Sequence, residues 1–303
     1  MLIVRYVHDT EVRLGLLDAG TVRPLGGPAT LGELLQLPLA DVRALCEQEP
    51  AGPAVPSAEV RLLPPVDGRT EVWAAGVTYR RSRAARVAES EASADVYERV
   101  YDAARPELFF KSVAWRVTGD GEQVSIRRDS EVNVPEPELA LVLNAFAEVV
   151  GYTVCNDGSS RSIEGANPLY LPQAKVWLGG CAVGPGIRPA WEVEDPYALG
   201  IRMAIERAGA VVWEGEASTD ELHRRFPDLV EHLFREDVHP EGVLLSTGTC
   251  LVPDLPFTLL SGDRVRISID QVGTLTSDVV LGKPAMSWLS GGARTPGREP
   301  AHT

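Results

Sequence analysis

A β-rich α+β fold, mixed but mostly antiparallel, with a small leading domain, is predicted from three observations. Short runs rich in Val, Leu, Ile and Tyr recur along the 303 residues and outnumber the helical patterns. Most of these runs are joined by hairpin turns rather than by regular crossover helices, which argues against a doubly wound parallel sheet. The Pro/Ala/Gly stretch AGPAVPSAEV, residues 51–60, reads as a linker between a first small unit and the remainder.

In order, residues 2–7 and 13–17 read as a hairpin and 21–24 as a further edge. Thr30-Leu-Gly-Glu33 has the form of a capping box and opens a helix; residues 39–48 make a second helical segment. The boundary of this α/β domain is expected at 1–65. Residues 66–290 then form the main domain, and 291–303, rich in Gly, Pro and Arg, a loose tail. The main domain opens with a buried strand at 72–75 and a turn at Gly76-Val-Thr-Tyr79. Ser82 caps an amphipathic helix that runs to Ala104. Residues 108–113 and 123–128 read as strands with Gly119-Asp-Gly121 as the turn between them. The segment 167–175 is too broken by proline for a long helix. A hairpin follows at 199–206 and 210–214 about Gly209. Residues 218–236 are helical, with Pro227 starting a second segment. Strands at 243–249, 258–260, 264–269 and 273–280 complete the chain.

Composition bounds the function. Hydrophobic content of 44% and charged content of 24% are those of a globular chain with a sizeable core. A net charge of −14 argues against nucleic acid or an anionic membrane surface as partner. No apolar run approaches a membrane span, and the N-terminus lacks the pattern of a signal peptide. Cys46, Cys155, Cys181 and Cys250 form no CxxC pair and read as buried thiols of a reducing compartment. A cytoplasmic location is therefore expected.

The chemistry centres on PEPELALVLNAFAEVVGYTVCNDGSSR, residues 135–161. Apolar runs at 139–143 and 149–154 flank a short polar segment, as in a hairpin with its tip near Phe146. Glu136 and Glu138 stand where the first strand begins, and residues two apart in extended chain share a face. Folding the hairpin brings Asp157 opposite them. Three carboxylates packed together repel and raise one another's pKa. A hard divalent ion removes that cost, and oxygen-only ligands favour Mg²⁺, Mn²⁺ or Ca²⁺ over zinc. On spacing alone, two solvated glutamates at a strand end with Asp157 capping a turn weighs equally.

Of 29 basic residues only three are lysine: Lys111, Lys175 and Lys283. Where arginine serves as the default surface cation, a retained lysine points to a role that needs a compact, titratable ammonium. Lys175, in the Pro-rich loop after the acids, fits that role best. Lys111 is intermediate and Lys283 reads as surface. The five histidines lie far from the acids in sequence, and there is no HExxH, GxSxG or Walker loop.

These residues resemble the fumarylacetoacetate hydrolase superfamily over most of the chain after residue 70. The likeness runs through Gly76 to Tyr79, Phe109 to Lys111, Glu136 to Leu139, Gly151 to Asp157, Ser160-Arg161, Ala174-Lys175, Gly184-Pro185 and Thr247-Gly-Thr249. It implies a mixed β-sandwich roll, a homodimer or higher homo-oligomer, and a metal, usually Mg²⁺, held by Glu136, Glu138 and Asp157. Hydrolases of the family carry His and Glu three and six residues after the motif tyrosine; here Ser82 and Ala85 stand there. With Glu107 in its place, the pattern looks like the branch that dehydrates 2-keto-3-deoxy sugar acids such as 2-keto-3-deoxy-D-arabinonate or xylonate. The implied roles are Glu107 and Lys175 as acid and base, with Glu107 preferred for the leaving C4 hydroxyl and Lys175 for the C3 proton. Tyr79, Ser82, Lys111, Ser159, Arg161, Tyr170 and Thr249 would bind substrate, and a pentonate would give 2-oxoglutarate semialdehyde. Hydrolysis or decarboxylation of 2,4-dioxo acids on the same metal site is the alternative, and a ligand-binding protein without turnover a third.

Overall fold

The structure, a computed structural model, describes residues 1–79 and 100–291. Ser82 and Ala85, most of the helix expected over 82–104, and the tail beyond Gly291 lie outside the described residues. The leading unit contains β1 (Leu2–His8), β2 (Glu11–Asp18), β3 (Thr21–Pro24), α1 (Leu31–Leu34), α2 (Leu39–Cys46), β4 (Val55–Pro56) and β5 (Arg61–Leu63). Thr30 caps α1 through the Glu33 N–H at 3.1 Å, and the Glu33 carboxylate reaches back to the Ala29 N–H at 2.8 Å. The Thr30 bond is the first half of the capping box, while the Glu33 carboxylate engages the N–H one residue before the cap rather than that of Thr30 itself. The expected linker over 51–60 instead includes β4 and a single turn at Ser57–Glu59.

The rest comprises β6 (Glu71–Gly76), β7 (Glu107–Val113), β8 (Gln123–Ile126), β9 (Asn133–Val134), β10 (Pro137–Leu143), β11 (Val149–Asp157), β12 (Ser159–Ser160), α3 (Arg161–Ala166), α4 (Leu171–Lys175) and β13 (Cys181–Pro189). Then come β14 (Gly200–Arg207), β15 (Ala210–Ser218), α5 (Phe226–Phe234), β16 (Val243–Ser246), β17 (Arg264–Ile269), β18 (Gly273–Leu281), α6 (Gly282–Ala285) and α7 (Ser287–Ser290). The larger sheet runs β4-β3-β2-β1-β13-β11-β10-β16-β6-β7 with β5 beside β1; the smaller runs β15-β14-β17-β18-β8. Among the strand pairings of the described residues only β16–β6 and β18–β8 are parallel, with one isolated parallel bridge at Thr118–Ala182.

The central strand β10 is buried along its whole length because both of its faces are covered. Leu139, Leu141 and Leu143 point into a core shared with Ile201, Ile205, Ile267 and Leu275 of the smaller sheet. Ala140 and Val142 point the other way, into a core with Leu31, Leu34, Leu35 and Val42 of the leading unit. Each fully buried Leu contributes roughly 1.5–3 kcal/mol, so β10 ties the two layers together. The leading unit is joined to the larger sheet as well: β1 pairs with β13 at Ile3↔Ile187.

Three expectations are corrected. Residues 218–236 are not helical throughout: Ser218 ends β15, a single turn covers Thr219–Glu221, and α5 begins only at Phe226. The strand at 123–126 does not pair with β7 through Gly119–Gly121. A single turn at Ala114–Arg116 breaks the chain, Thr118 then bridges Ala182, and β8 joins the other sheet beside β18. Residues 258–260 form no strand. Thr258 and Leu259 follow Pro256 and bond to Asn133 instead, through its N–H to Thr258 Oγ1 at 2.9 Å and its carbonyl to the Leu259 N–H at 2.9 Å.

Candidate active site

Glu136 directly precedes β10, which pairs with β11 in the register Pro137↔Asn156 and Glu138↔Cys155. The Asp157 N–H donates to the Glu136 carbonyl at 3.0 Å, so the pairing persists to the last residue of β11. The three carboxylates are only 1–2% exposed, and one ligand oxygen from each lies within 4.8 Å of the others. Oxygens sharing an ion at about 2.0–2.6 Å stand up to roughly twice that distance apart, so the cluster has the span of a hard-cation site.

Glu138 is held by β16 and the residues after it, while Glu136 and Asp157 share Lys175. β16 lies against β10, and the Glu138 Oε2 accepts from Ser246 Oγ at the end of β16 at 2.6 Å and from the Gly248 N–H just beyond it at 2.8 Å. Lys175, closing α4, donates from Nζ to Glu136 Oε2 at 2.6 Å, Asp157 Oδ2 at 2.9 Å and Ser159 Oγ at 2.5 Å. Arg161 Nη1 donates to Glu136 Oε1 at 3.3 Å and stands 3.7 Å from Glu164 Oε2. Lys111 Nζ donates to the carbonyls of Gly158 and Lys175 at 2.8 and 2.6 Å and lies 2.6 Å from Asp157 Oδ1. Two of the three donors of the Lys111 ammonium go to main-chain carbonyls, and its charge pairs with Asp157.

Lys111 owes its direction to a bulge. Phe110 pairs with Trp73 and Ser112 with Val72, which leaves Lys111 without a partner residue on β6. The extra residue re-aims its side chain into the site. The electrostatics follow from burial. Desolvation, then repulsion from Asp157, holds the Glu138 carboxyl well above the ordinary glutamate value. Desolvation pushes Asp157 the same way, but Lys111 and Lys175 outweigh it and keep that carboxyl low. A buried acid cluster in which one carboxyl resists ionisation is what a divalent cation relieves.

The acids open on a cleft whose lining includes Glu107, Phe109, Glu164, Leu171, Lys175 and Thr249. Glu107 heads β7 opposite Gly76. Two residues on, the Phe109 ring lies 5.5 Å from Lys175 Nζ. Of the residues singled out from sequence, the cleft gathers Glu107, Glu136, Glu138, Asp157, Lys175 and Thr249. Lys111, Ser159 and Arg161 sit buried behind the acids. Tyr79 is fully buried in the main core, where desolvation pushes its phenol well above the usual value. Tyr170 is 45% exposed on the single turn Pro168–Tyr170, outside the cleft lining. Sequence reasoning quoted Phe109 only as part of a motif, with no role, and passed over Glu164. The first alternates with Glu107 along one strand, and the second lies one helical turn from Arg161, so both had a periodic signal.

Residues 71–280 match the family described as fumarylacetoacetate (FAA) hydrolase C-terminal, and residues 1–65 match the one described as Rv2993c-like, N-terminal. Among curated proteins, the chain is 50% identical over 215 residues to the "Probable 2-keto-3-deoxyxylonate dehydratase" of Haloferax volcanii, covering 71% of this chain and 73% of that one. It is 41% identical over 224 residues to the 2-dehydro-3-deoxy-D-arabinonate dehydratase of Saccharolobus solfataricus, covering 73% and 75%. A solved structure of 2-keto-3-deoxy-D-arabinonate dehydratase, complexed with magnesium and 2,5-dioxopentanoate, aligns with a TM-score of 0.80 at 34% identity, over 93% of this chain and 99% of that one. With most of its length matched in sequence and fold, the chain belongs to the fumarylacetoacetate hydrolase family.

Proposed function

We propose that the chain is a metal-dependent hydro-lyase that dehydrates a 2-keto-3-deoxy pentonate to 2-oxoglutarate semialdehyde (2,5-dioxopentanoate) in sugar-acid catabolism. The observation that carries this reading is the buried Glu136, Glu138 and Asp157 cluster sharing one cleft with Glu107 and Lys175. The dehydratases at 50% and 41% identity support the substrate class. Glu136, Glu138 and Asp157 are the residues that would hold Mg²⁺, with Mn²⁺ and Ca²⁺ sharing its preference for oxygen donors. Bound there, such an ion draws electron density from the carbonyl of a 2-oxo acid and so acidifies the neighbouring C3–H.

The chain's own groups move the protons. In its neutral amine form, which a cation held by the neighbouring carboxylates would favour, Lys175 Nζ takes the C3 proton, and Glu107 protonates the C4 hydroxyl as it departs, so that one water leaves. Glu107, now a carboxylate, takes a proton from C5 while Lys175 returns one to C3. The double bond moves to C4–C5, both residues regain their starting states, and the C5 enol becomes the aldehyde. No second water is lost. Thr249 lines the cleft with its hydroxyl donating to the Pro137 carbonyl at 3.0 Å, so it meets substrate through its methyl group and its remaining lone pair. Ser159, Arg161 and Lys111 act from behind by holding the acids and Lys175.

The same reading places the enzyme in the cytoplasm, supported by four buried cysteines that stand as thiols, and in a homo-oligomer, which sedimentation at micromolar concentration tests. No helix among the described residues is long and apolar enough to cross a membrane. The decisive assay incubates the protein with 2-keto-3-deoxy-arabinonate, 2-keto-3-deoxy-xylonate and 2,4-dioxo acids, with Mg²⁺ or with chelator, and identifies the products. Metal-dependent semialdehyde is expected. Pyruvate or CO₂ from a dioxo acid, with no semialdehyde from either pentonate, refutes the reading.

A further inference from the structure

We propose that Gly76 is a positioning residue for Glu107: the space beside its Cα is where the Glu107 carboxylate stands. This rests on the role given to Glu107 above. Gly76 ends β6 and pairs across the sheet with Glu107, and both line the cleft. A Cβ on Gly76 would lie 1.9 Å from Glu107 Oε2, 2.7 Å from its Cδ and 3.3 Å from its Cγ. No such contact survives between real atoms, so the carboxylate occupies a place that only glycine leaves open.

The backbone gives no other reason for glycine. Gly76 is not among the residues with positive φ, so an L side chain fits its conformation, and glycine within a strand ordinarily weakens it. The three nearest atoms to the added Cβ all belong to the flexible Glu107 side chain and none to backbone. Relief therefore comes from rotating the carboxylate away rather than from opening the sheet. Sliding the strand is the costlier response, because the chain turns sharply at the next residue, Val77, with φ of 53°. Gly76→Ala is thus a way to move one carboxylate while leaving its chemistry, the metal ligands and the fold in place.

The test compares Gly76→Ala, Glu107→Gln and the double variant. A general acid or base contributes about 10²–10⁴-fold. Gly76→Ala is expected to lose at least about 10²-fold in kcat, to lose the same limb of the pH–kcat profile as Glu107→Gln, and to bind Mg²⁺ by calorimetry within about twofold of wild type. Its loss should not add to that of Glu107→Gln, because both remove one group. If Gly76→Ala melts far below wild type, adding Glu107→Ala, which empties the contested space, must restore the melting temperature. Wild-type kcat and pH profile in Gly76→Ala, beside an inactive Glu107→Gln, overturns the inference and leaves the role of Glu107 standing. Additive losses, or no thermal recovery in the pair, overturn it too. An active Glu107→Gln instead removes the catalytic reading on which the inference depends.

Discussion

Replacing Lys175 with methionine separates its part as a counter-ion from its part as a base. The ammonium is 2% exposed and bonds two metal-site carboxylates, Glu136 at 2.6 Å and Asp157 at 2.9 Å. Removing one partner of a buried ion pair costs about 3–5 kcal/mol, mostly for the charge left behind. Here Asp157 keeps Lys111 at 2.6 Å and Glu136 keeps Arg161 at 3.3 Å, which places the expected loss at the lower end, about 3 kcal/mol. At roughly 2–4 °C per kcal/mol for a protein of this order of size, the melting temperature should fall by about 6–12 °C. That loss belongs to the metal-free protein. A divalent ion supplies the missing positive charge and binds without an ammonium competing for the same oxygens. Each hundredfold excess over Kd adds about 2.7 kcal/mol, and the tighter Kd of the variant means it gains more than wild type at equal Mg²⁺. Melts of both proteins in chelator and in millimolar Mg²⁺ should show a wide gap that mostly closes with metal, while turnover stays abolished in the variant. The same gap under both conditions, or none in chelator, refutes the assignment of Lys175 as the counter-ion of this pair.

The raised pKa of Glu138 gives a pH dependence with a definite sign. Its contribution to stability is full below the ordinary value of 4.5 and is lost as pH rises through the raised folded value. In chelator, Glu138→Gln should therefore gain stability over wild type progressively from pH 5 upward, and Mg²⁺ should reverse the ranking; a flat difference would contradict it. Asp157, held low, has the opposite sign and matters only near and below its ordinary 3.8. Gly248 has φ of 93°, and a Cβ there would meet Thr78 Oγ1 at 2.0 Å and the Ala75 carbonyl at 3.0 Å. Gly248→Ala should destabilise by about 1–3 kcal/mol and, by shifting the N–H that holds Glu138, weaken Mg²⁺ binding measured by calorimetry. A fragment of residues 66–303 lacks Ile3, Leu31, Leu34 and Leu35, and exposes the face of β10 and β13 that they cover. It should bind a hydrophobic dye and melt without cooperativity, and co-expression with residues 1–65 should rescue it; a cooperative melt of the fragment alone would contradict a shared core.

What was legible in the sequence was local. The cap at Thr30, the Gly209 hairpin and the hairpin carrying the acids each rest on a few neighbouring residues, and each stands in the structure close to where the pattern puts it. The convergence of Glu136, Glu138 and Asp157 was legible for the same reason, since a hairpin converts sequence symmetry into spatial proximity. Distant pairing was not. Nothing near Gly119 says that β8 will leave β7 for the parallel company of β18, and the pattern at 258–260 does not show that Asn133 will engage its backbone. Lys111 is the instructive case within the site. Its rarity drew attention to it and left its role intermediate. Its acceptors, however, are backbone carbonyls of Gly158 and Lys175, and carbonyls carry no signature in a sequence.

That pair of bonds from Lys111 also bears on how the two proton-handling groups keep their spacing. Glu107 and Lys111 sit on one strand, and Lys111 grips the main chain of Lys175. The proposed acid and the proposed base are thus mounted on a common rail, one directly and the other through a single ammonium. A displacement of β7 carries both in the same direction. Thermal drift elsewhere in the molecule then changes how open the cleft is far more readily than it changes the gap across which the protons travel.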